Sequence, residues 1–241
     1  FASGNGILNS QGNYQLAFTP TQNAAAGRLN YTFEAVVRDV DRQAYAGRIS
    51  KMVDPADYYV GVKAPQREVL QSGTSTEIPV VVVDTKGRIQ NNCDVQIEVE
   101  FVQNHSSARM YGTYNVQMLN HKSGSVVDQE SLRSKSVPVS WSFSPEKAGI
   151  YRLNFSTTDP EGRRVKTFFY TTVTGDEATA WPRFDIEQIE VVKDKPLYRI
   201  GDVAKIVPQS PFTEATGLVS IEQSGIMETR IIEIDNNTEA I

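Results

Sequence analysis

The sequence predicts an all-β chain of tandem immunoglobulin-like antiparallel β-sandwich domains, and three observations carry that prediction. Two stretches 120 residues apart spell the same phrase: Tyr31 to Arg38 followed by the turn Asp39-Val40-Asp41-Arg42, and Tyr151 to Ser156 followed by Asp159-Pro160-Glu161-Gly162-Arg163. In each, the Asp lies eight residues after the Tyr, the length of one strand and the start of its turn, and self-similarity of this kind marks a modular architecture. Alternation is the second observation: Val95, Ile97, Val99 and Phe101 are separated by Gln96, Glu98 and Glu100, one face apolar and the other wet, as a half-buried antiparallel strand requires. The third is that no window of roughly eleven residues or more carries apolar residues at helical spacing.

The elements follow in chain order. Tyr14 to Pro20, ending Phe18-Thr19-Pro20, matches Val139 to Pro145, ending Phe143-Ser144-Pro145. Ile78 to Val83 runs into Asp84-Thr85-Lys86-Gly87-Arg88, a turn whose Gly supplies positive φ, and a hairpin is expected there. Residues 103–136, rich in Ser, Asn, Gln and Lys, break the rhythm, and their centre, Ala108 to Leu119, gives one or two strands. Leu153 to Thr158, the turn at Asp159 to Gly162, and Val165 to Val173 read as a second hairpin. Strands at this spacing, with turn signals every 8 to 12 residues or so, argue for two packed antiparallel sheets.

Domain breaks are expected near Asp54-Pro55-Ala56 and between Thr174 and Arg183. That gives three parts: 1–54 as the C-terminal part of one sandwich, 55–176 as a complete one, and 177–241 as a linker and the N-terminal part of another. The outer parts are about half of the ~100 residues such a fold uses, so their strand edges are expected to need partners.

Composition narrows the function. With 39% hydrophobic and 22% charged residues, the chain belongs among globular proteins rather than disordered ones. The net charge of -5 comes with no Lys or Arg block, which excludes an electrostatic footprint for nucleic acid. The single cysteine, Cys93, forms no internal disulfide, which points to a prokaryotic or reducing setting. The run Val80 to Val83 is far short of the ~18 residues of a membrane span, and no export signal is present at Phe1, so the chain reads as a piece of something longer.

Ile189 to Lys205, with Asp194-Lys195, Tyr198 and Gly201-Asp202, resembles a segment of the α2-macroglobulin family. Ser210-Pro211-Phe212 ahead of Leu218 to Ile226, together with Trp181, is similar to the bacterial branch, and the elements at Phe143, Gly149 to Tyr151 and Asp159 to Arg163 resemble the ends of macroglobulin-like domains. The resemblance implies macroglobulin-like sandwiches from a protease trap. In that family a cut in a bait segment triggers rearrangement, and a thioester in Cys-Gly-Glu-Gln acylates the attacker in many members. Cys93 is followed here by Asp94-Val95-Gln96, so the covalent step has no residues in this chain. Proteases, engaged through the longer parent protein, and other macroglobulin-like domains are the implied partners, and the implied setting is the periplasm or cell surface, with a lipid anchor at the parent's N-terminus. The alternative is a string of surface adhesion or carbohydrate-binding sandwich modules, since one fold hosts many tasks.

Residue by residue, chemistry is not expected. His105 and His121 are the only histidines; sixteen apart in the polar insert, with no Cys or carboxylate spaced to complete a zinc tetrahedron, they read as exposed loop histidines. Asp39, Asp84 and Asp159 each open a turn, where a carboxylate bonds backbone N–H groups. Cys93 sits beside Asp94, whose charge opposes thiolate formation, and reads as an inert thiol. Trp141, Phe143, Tyr151, Phe155, Phe168 and Phe169 read as core or a same-face ladder rather than a sugar platform, and Arg163-Arg164 and Lys122 as solvated loop charge open to proteolysis. No Gly-x-Ser-x-Gly elbow or phosphate-cradling loop is present. The expected set of catalytic, cofactor-binding and metal residues is therefore none, and the chain is expected not to be an enzyme.

Overall fold

The computed structural model describes residues 3–20, 27–65, 69–111, 115–175, 181, 188–212 and 214–234. These form strands and turns with no helix among them, as the sequence leads one to expect. The chain divides into two compact units, Phe1–Pro55 and Ala56–Ile241.

The first unit is a hairpin of β1 (Leu29–Arg38) and β2 (Ala44–Val53), paired from Leu29 with Val53 to Arg38 with Ala44. Phe18 packs its ring on Tyr31 and Phe33, with centroids 5.2 and 5.7 Å away. Alternation along β1 puts Leu29, Tyr31 and Phe33 on one face, and these are the half-buried positions of the strand.

The second unit opens with a two-layer sandwich. Its strands are β3 (Tyr58–Val62), β4 (Val69–Gln71), β5 (Thr76–Asp84), β6 (Asp94–Tyr111), β7 (Asn115–Arg133), β8 (Val139–Phe143), β9 (Gly149–Thr158) and β10 (Arg164–Thr174). One sheet has the order β3-β5-β8 and the other β4-β10-β9-β6-β7. All neighbours are antiparallel except β4 and β10. The leading strand is thus shared, β3 in one layer and β4 in the other, as in immunoglobulin-like sandwiches.

Between the layers, Ile78, Val80, Val82, Trp141 and Phe143 from one sheet meet Val95, Ile97, Val99, Tyr151, Leu153 and Phe155 from the other. Leu153 and Phe155 are fully buried, each worth about 1.5–3 kcal/mol of apolar burial. Trp141 stacks on Phe143, meets Phe155 edge-on at 5.7 Å, and donates its indole N–H to Glu130 at 2.9 Å, which satisfies the polar edge that a buried Trp carries. Pro79 sits inside β5, where proline is disfavoured. Its carbonyl accepts from Lys63 at 3.0 Å, so its missing N–H lies on the same side, at the point where β3 ends.

Two sequence expectations are corrected. The turn at Asp84 to Arg88 does not open a full hairpin: the return strand is limited to a bridge between Val83 and Ile89, after which the chain crosses to the other sheet to begin β6. The polar stretch 103–136 is not an irregular insert with strands only at its centre. It forms the outer half of β6 and all of β7, whose ladder with β6 is paired from Asp94 with Arg133 to Tyr111 with Asn115. Beyond Asn104, which is buried, and Ser106, which is half-buried, most described residues of the ribbon are exposed and carry no apolar alternation, while the ladder that began in the sandwich continues past a one-residue shift after Val99. By contrast, β9 and β10 form the expected hairpin.

Beyond the sandwich, β11 (Val191–Lys193) pairs with β12 (Ile206–Pro208), and β13 (Ala215–Glu222) with β14 (Ile226–Ile234). Trp181 and Val207 are buried.

Candidate functional site

The three turn aspartates share one device. Asp84 Oδ1 accepts the N–H groups of Lys86 and Arg88, both at 2.9 Å, and Asp159 Oδ1 accepts those of Glu161 and Arg163 at 3.1 and 2.8 Å. The residue three positions on is left-handed in each turn: Gly87 at φ 81°, Gly162 at 79°, and Arg42 at 63° after Asp39. Asp39 accepts the N–H of Val40, while its own N–H and carbonyl bond Gln43 and Arg42. In the two complete copies the closing Arg folds back on the Asp, with Nε to Oδ2 at 2.6 Å for Arg88 and 2.7 Å for Arg163. A carboxylate spent on this many donors is a turn former, in agreement with the sequence reading.

Around Asp159 the device gathers a cluster. The carboxylates of Asp57, Asp159 and Glu161 lie within 4.8 Å of one another, a donor set that suits a hard cation. Arg163 Nη2 already stands among them, at 2.9 Å from Asp57, 2.7 Å from Asp159 and 3.0 Å from Glu161. The guanidinium supplies the positive charge the cluster needs, so the cluster is an ion-pair knot. Arg163 is therefore not the solvated loop charge the sequence suggests; Arg164 is also engaged, donating to Ser156 Oγ at 2.8 Å. The Asp159 side chain is fully shielded from solvent. Burial pushes its carboxyl up, but the N–H groups of Asp57 and Arg163 and the guanidinium outweigh that and hold it below the ordinary range. Arg163 shows the mirror case: burial pushes it down, and the bond to Asp159 outweighs that and raises it.

Beside the knot, Tyr58, Cys93, Asp94, Asp159 and Arg164 line a surface depression. Burial, then the neighbouring Cys93 and carboxylates, raises the Tyr58 phenol away from ionisation. The Cys93 thiol points its hydrogen at Asn91 O, 3.5 Å away, and packs partly against the core. A base positioned to activate it is what nucleophilic use demands.

Trp141, Phe143, Tyr151 and Phe155 are buried and Phe169 packs against them, as the sequence suggests. Phe168 differs: it is 48% exposed, beside Tyr170 at 53%, with rings 5.9 Å apart edge to face. Arg152 lays its guanidinium over the Phe168 ring, 4.3 Å from the centroid.

The two histidines are not loop residues. His105 lies on β6 and His121 on β7, directly opposite each other in the ladder. The separation of sixteen is not the informative quantity; the missed signal is that their numbers add to 226, the same sum as every pair of the outer ladder from Glu100 with Val126 to Tyr111 with Asn115.

The segment that resembles α2-macroglobulins builds a self-contained loop between β11 and β12. Asp194 Oδ1 accepts from Tyr198 O–H at 2.7 Å and Lys205 N–H at 3.0 Å. Those two bonds, the phenol's first, hold the Asp194 carboxyl below its ordinary value. Asp202 Oδ2 accepts from Arg199 N–H at 3.1 Å and faces the Lys195 ammonium at 3.6 Å, and Gly201 takes φ 94°. Each residue of the phrase Asp-Lys, Tyr, Gly-Asp thus has a structural task.

No family model matches the chain. An α2-macroglobulin homologue of Nostoc sp. aligns with it at 26% identity over 187 residues, 78% of this chain; the chain spans about a tenth of that relative's length, the aligned share being 10%. Among solved structures, Salmonella α2-macroglobulin reacted with methylamine is similar over 89% of this chain and 14% of its own, at 14% identity and a TM-score of 0.44. Native E. coli α2-macroglobulin is similar over 88% of this chain and 15% of its own, at 15% identity and the same TM-score of 0.44. With the sandwich read from its own sheets and this alignment over 187 residues, the chain is similar to bacterial α2-macroglobulins.

Proposed function

We propose that this chain is a non-catalytic scaffold segment of a bacterial α2-macroglobulin-like endopeptidase inhibitor, holding other parts of the trap in position while carrying out no reaction itself. The alignment over 187 residues is the observation that carries this reading. The site chemistry supports it: Asp84, Asp159, Arg163 and Asp194 are engaged in turns and knots, and Cys93 lacks the Gly-Glu-Gln that a thioester needs. On this reading 1–54, 55–176 and 177–241 are successive macroglobulin-like modules, the first and last incomplete. Proteases are partners of the longer protein, other macroglobulin-like domains are partners of this segment, and the setting is periplasmic or at the cell surface, with a lipid anchor. The test is to cleave the longer protein with a broad-specificity protease. A change in hydrodynamic radius, with the protease shielded from large substrates, is expected; an unchanged radius with an unshielded protease refutes the reading.

The exposed pair Phe168 and Tyr170 favours a second reading, a carbohydrate-binding or adhesive module, because sugars stack on such rings. Arg152 already occupies one face of Phe168, which leaves Tyr170 to do the stacking. Glycan binding that is lost in Tyr170→Ala would establish it, and its absence on a broad glycan panel removes it.

A further inference from the structure

We propose that His105 and His121 form a cross-strand chelate for a divalent transition-metal ion of the imidazole-preferring class, zinc, nickel or copper, on the outer half of the β6–β7 ribbon. Below the bulge, β7 pairs with β6 in the register Val95 with Leu132 and Val99 with Asp128; continued outward, that register would set His105 against Lys122 and turn His121 to the opposite face. The ladder shifts between Val99 and Glu100, where Glu100 pairs with Val126 and Val127 is the extra residue. One added residue inverts which side chains of a strand share a face. It is this shift that brings His121 opposite His105.

Residues directly opposite in an antiparallel ladder hold their Cβ atoms about 4.5–5.5 Å apart, which lets two imidazoles converge on one ion at Zn–N bonds of about 2.0–2.1 Å. Both histidines are exposed, so an ion reaches them and water completes its coordination. Ser123 Oγ lies 3.1 Å from His105 Nε2. With the hydroxyl accepting from Nε2–H, the lone pair of His105 stands on Nδ1, and a partner of this kind fixes the tautomer of a metal-binding imidazole. The face holds no carboxylate among its described neighbours, Gln103, Ser107, Leu119 and Ser123, so a site here selects for nitrogen affinity over charge and disfavours magnesium and calcium. Arg109, on the same face, is four residues nearer the tip, about 13 Å along the strand.

The experiment is a titration of the 241-residue chain with Zn²⁺ alone at neutral pH, followed by calorimetry and by the ring-proton resonances of the two histidines. One ion per chain is expected, moving both sets of resonances together, with affinity falling as the pH drops and protons compete for the nitrogens. His105→Ala and His121→Ala are each expected to weaken binding about tenfold or more. The deciding variant is the exchange His121→Lys with Lys122→His, which keeps composition and charge but puts the second imidazole on the other face; it is expected to bind no better than either alanine variant. Asp159→Asn, at the separate acidic knot, is expected to leave the titration unchanged. Absence of binding at millimolar zinc, wild-type affinity in the exchange variant, or loss of binding in Asp159→Asn overturns the proposal. Circular dichroism of every variant separates a lost site from a lost fold.

Discussion

The inner and outer halves of β6 are one unbroken strand with the same partner along its whole length, yet they are different materials. From Val95 to Val102 the strand lies between β7 and β9, and Val95, Ile97 and Val99 are at most 2% exposed. From Gln103 onward its ladder partner among the described residues is β7 alone, and Gln103, His105 and Ser107 are exposed while the polar Asn104 is still buried. Hydrogen bonding is continuous across the boundary, while burial is not. The contrast separates two things usually found together: the ladder specifies which residues meet, and apolar burial supplies most of the free energy that keeps them there.

The comparison is sharpened first by Phe155→Ala, which removes a fully buried ring touching Trp141 and Phe169; a loss of about 3–5 kcal/mol is expected in denaturant unfolding. Next is Asp159→Asn, expected to cost about 1–3 kcal/mol at neutral pH by leaving the knot's donors and Arg163 poorly matched. Because the folded carboxyl is depressed, its contribution is present above the ordinary value of 3.8 and lost as the pH falls through the depressed one. The difference between wild type and variant should therefore shrink in acid, and a pH-independent difference would refute the assignment.

Gly162→Ala, at φ 79°, is expected to destabilise by about 1–2 kcal/mol, whereas Arg42→Gly at the equivalent left-handed position is expected to be neutral or stabilising. Opposite responses at two copies of one turn would tie the cost to backbone conformation. Smallest of all, Ser107→Ala in the outer ribbon is expected to change stability by no more than about 0.5 kcal/mol. Hydrogen exchange on the same samples should find the amides of Val95 to Val102 protected far more strongly than those of Gln103 to Ala108, since local opening is easiest where few apolar contacts hold.

The parts of the fold that were legible in the sequence are those where burial writes a pattern. Alternation at Val95 to Phe101 and the phrase from Tyr151 to Gly162 lead directly to β6, β9 and β10, because one face of each is packed. The outer ribbon was hidden because its few shielded positions, Asn104 and Ser106, are polar and most of its other described residues are exposed, so no apolar period marks it. The truncated hairpin after Asp84 was hidden for another reason: its turn is chemically the same as the one at Asp159, and what differs is the sheet to which the returning strand is recruited. The turn carboxylates were legible one at a time, but their gathering was not, since Asp57 and Asp159 meet across 102 residues.

The splitting of the leading strand between layers has a further consequence. β4 lies parallel to β10, with Val69 to Gln71 beside Thr172 to Thr174, the ladder prolonged by Ser72 N–H to Thr174 O at 2.8 Å. Tension applied between the start of β4 and the end of β10 runs along the two parallel strands in opposite senses. These bonds then carry the load together, in shear, instead of yielding one by one from an end. At this edge the sandwich meets such a pull with its bonds side by side rather than in series.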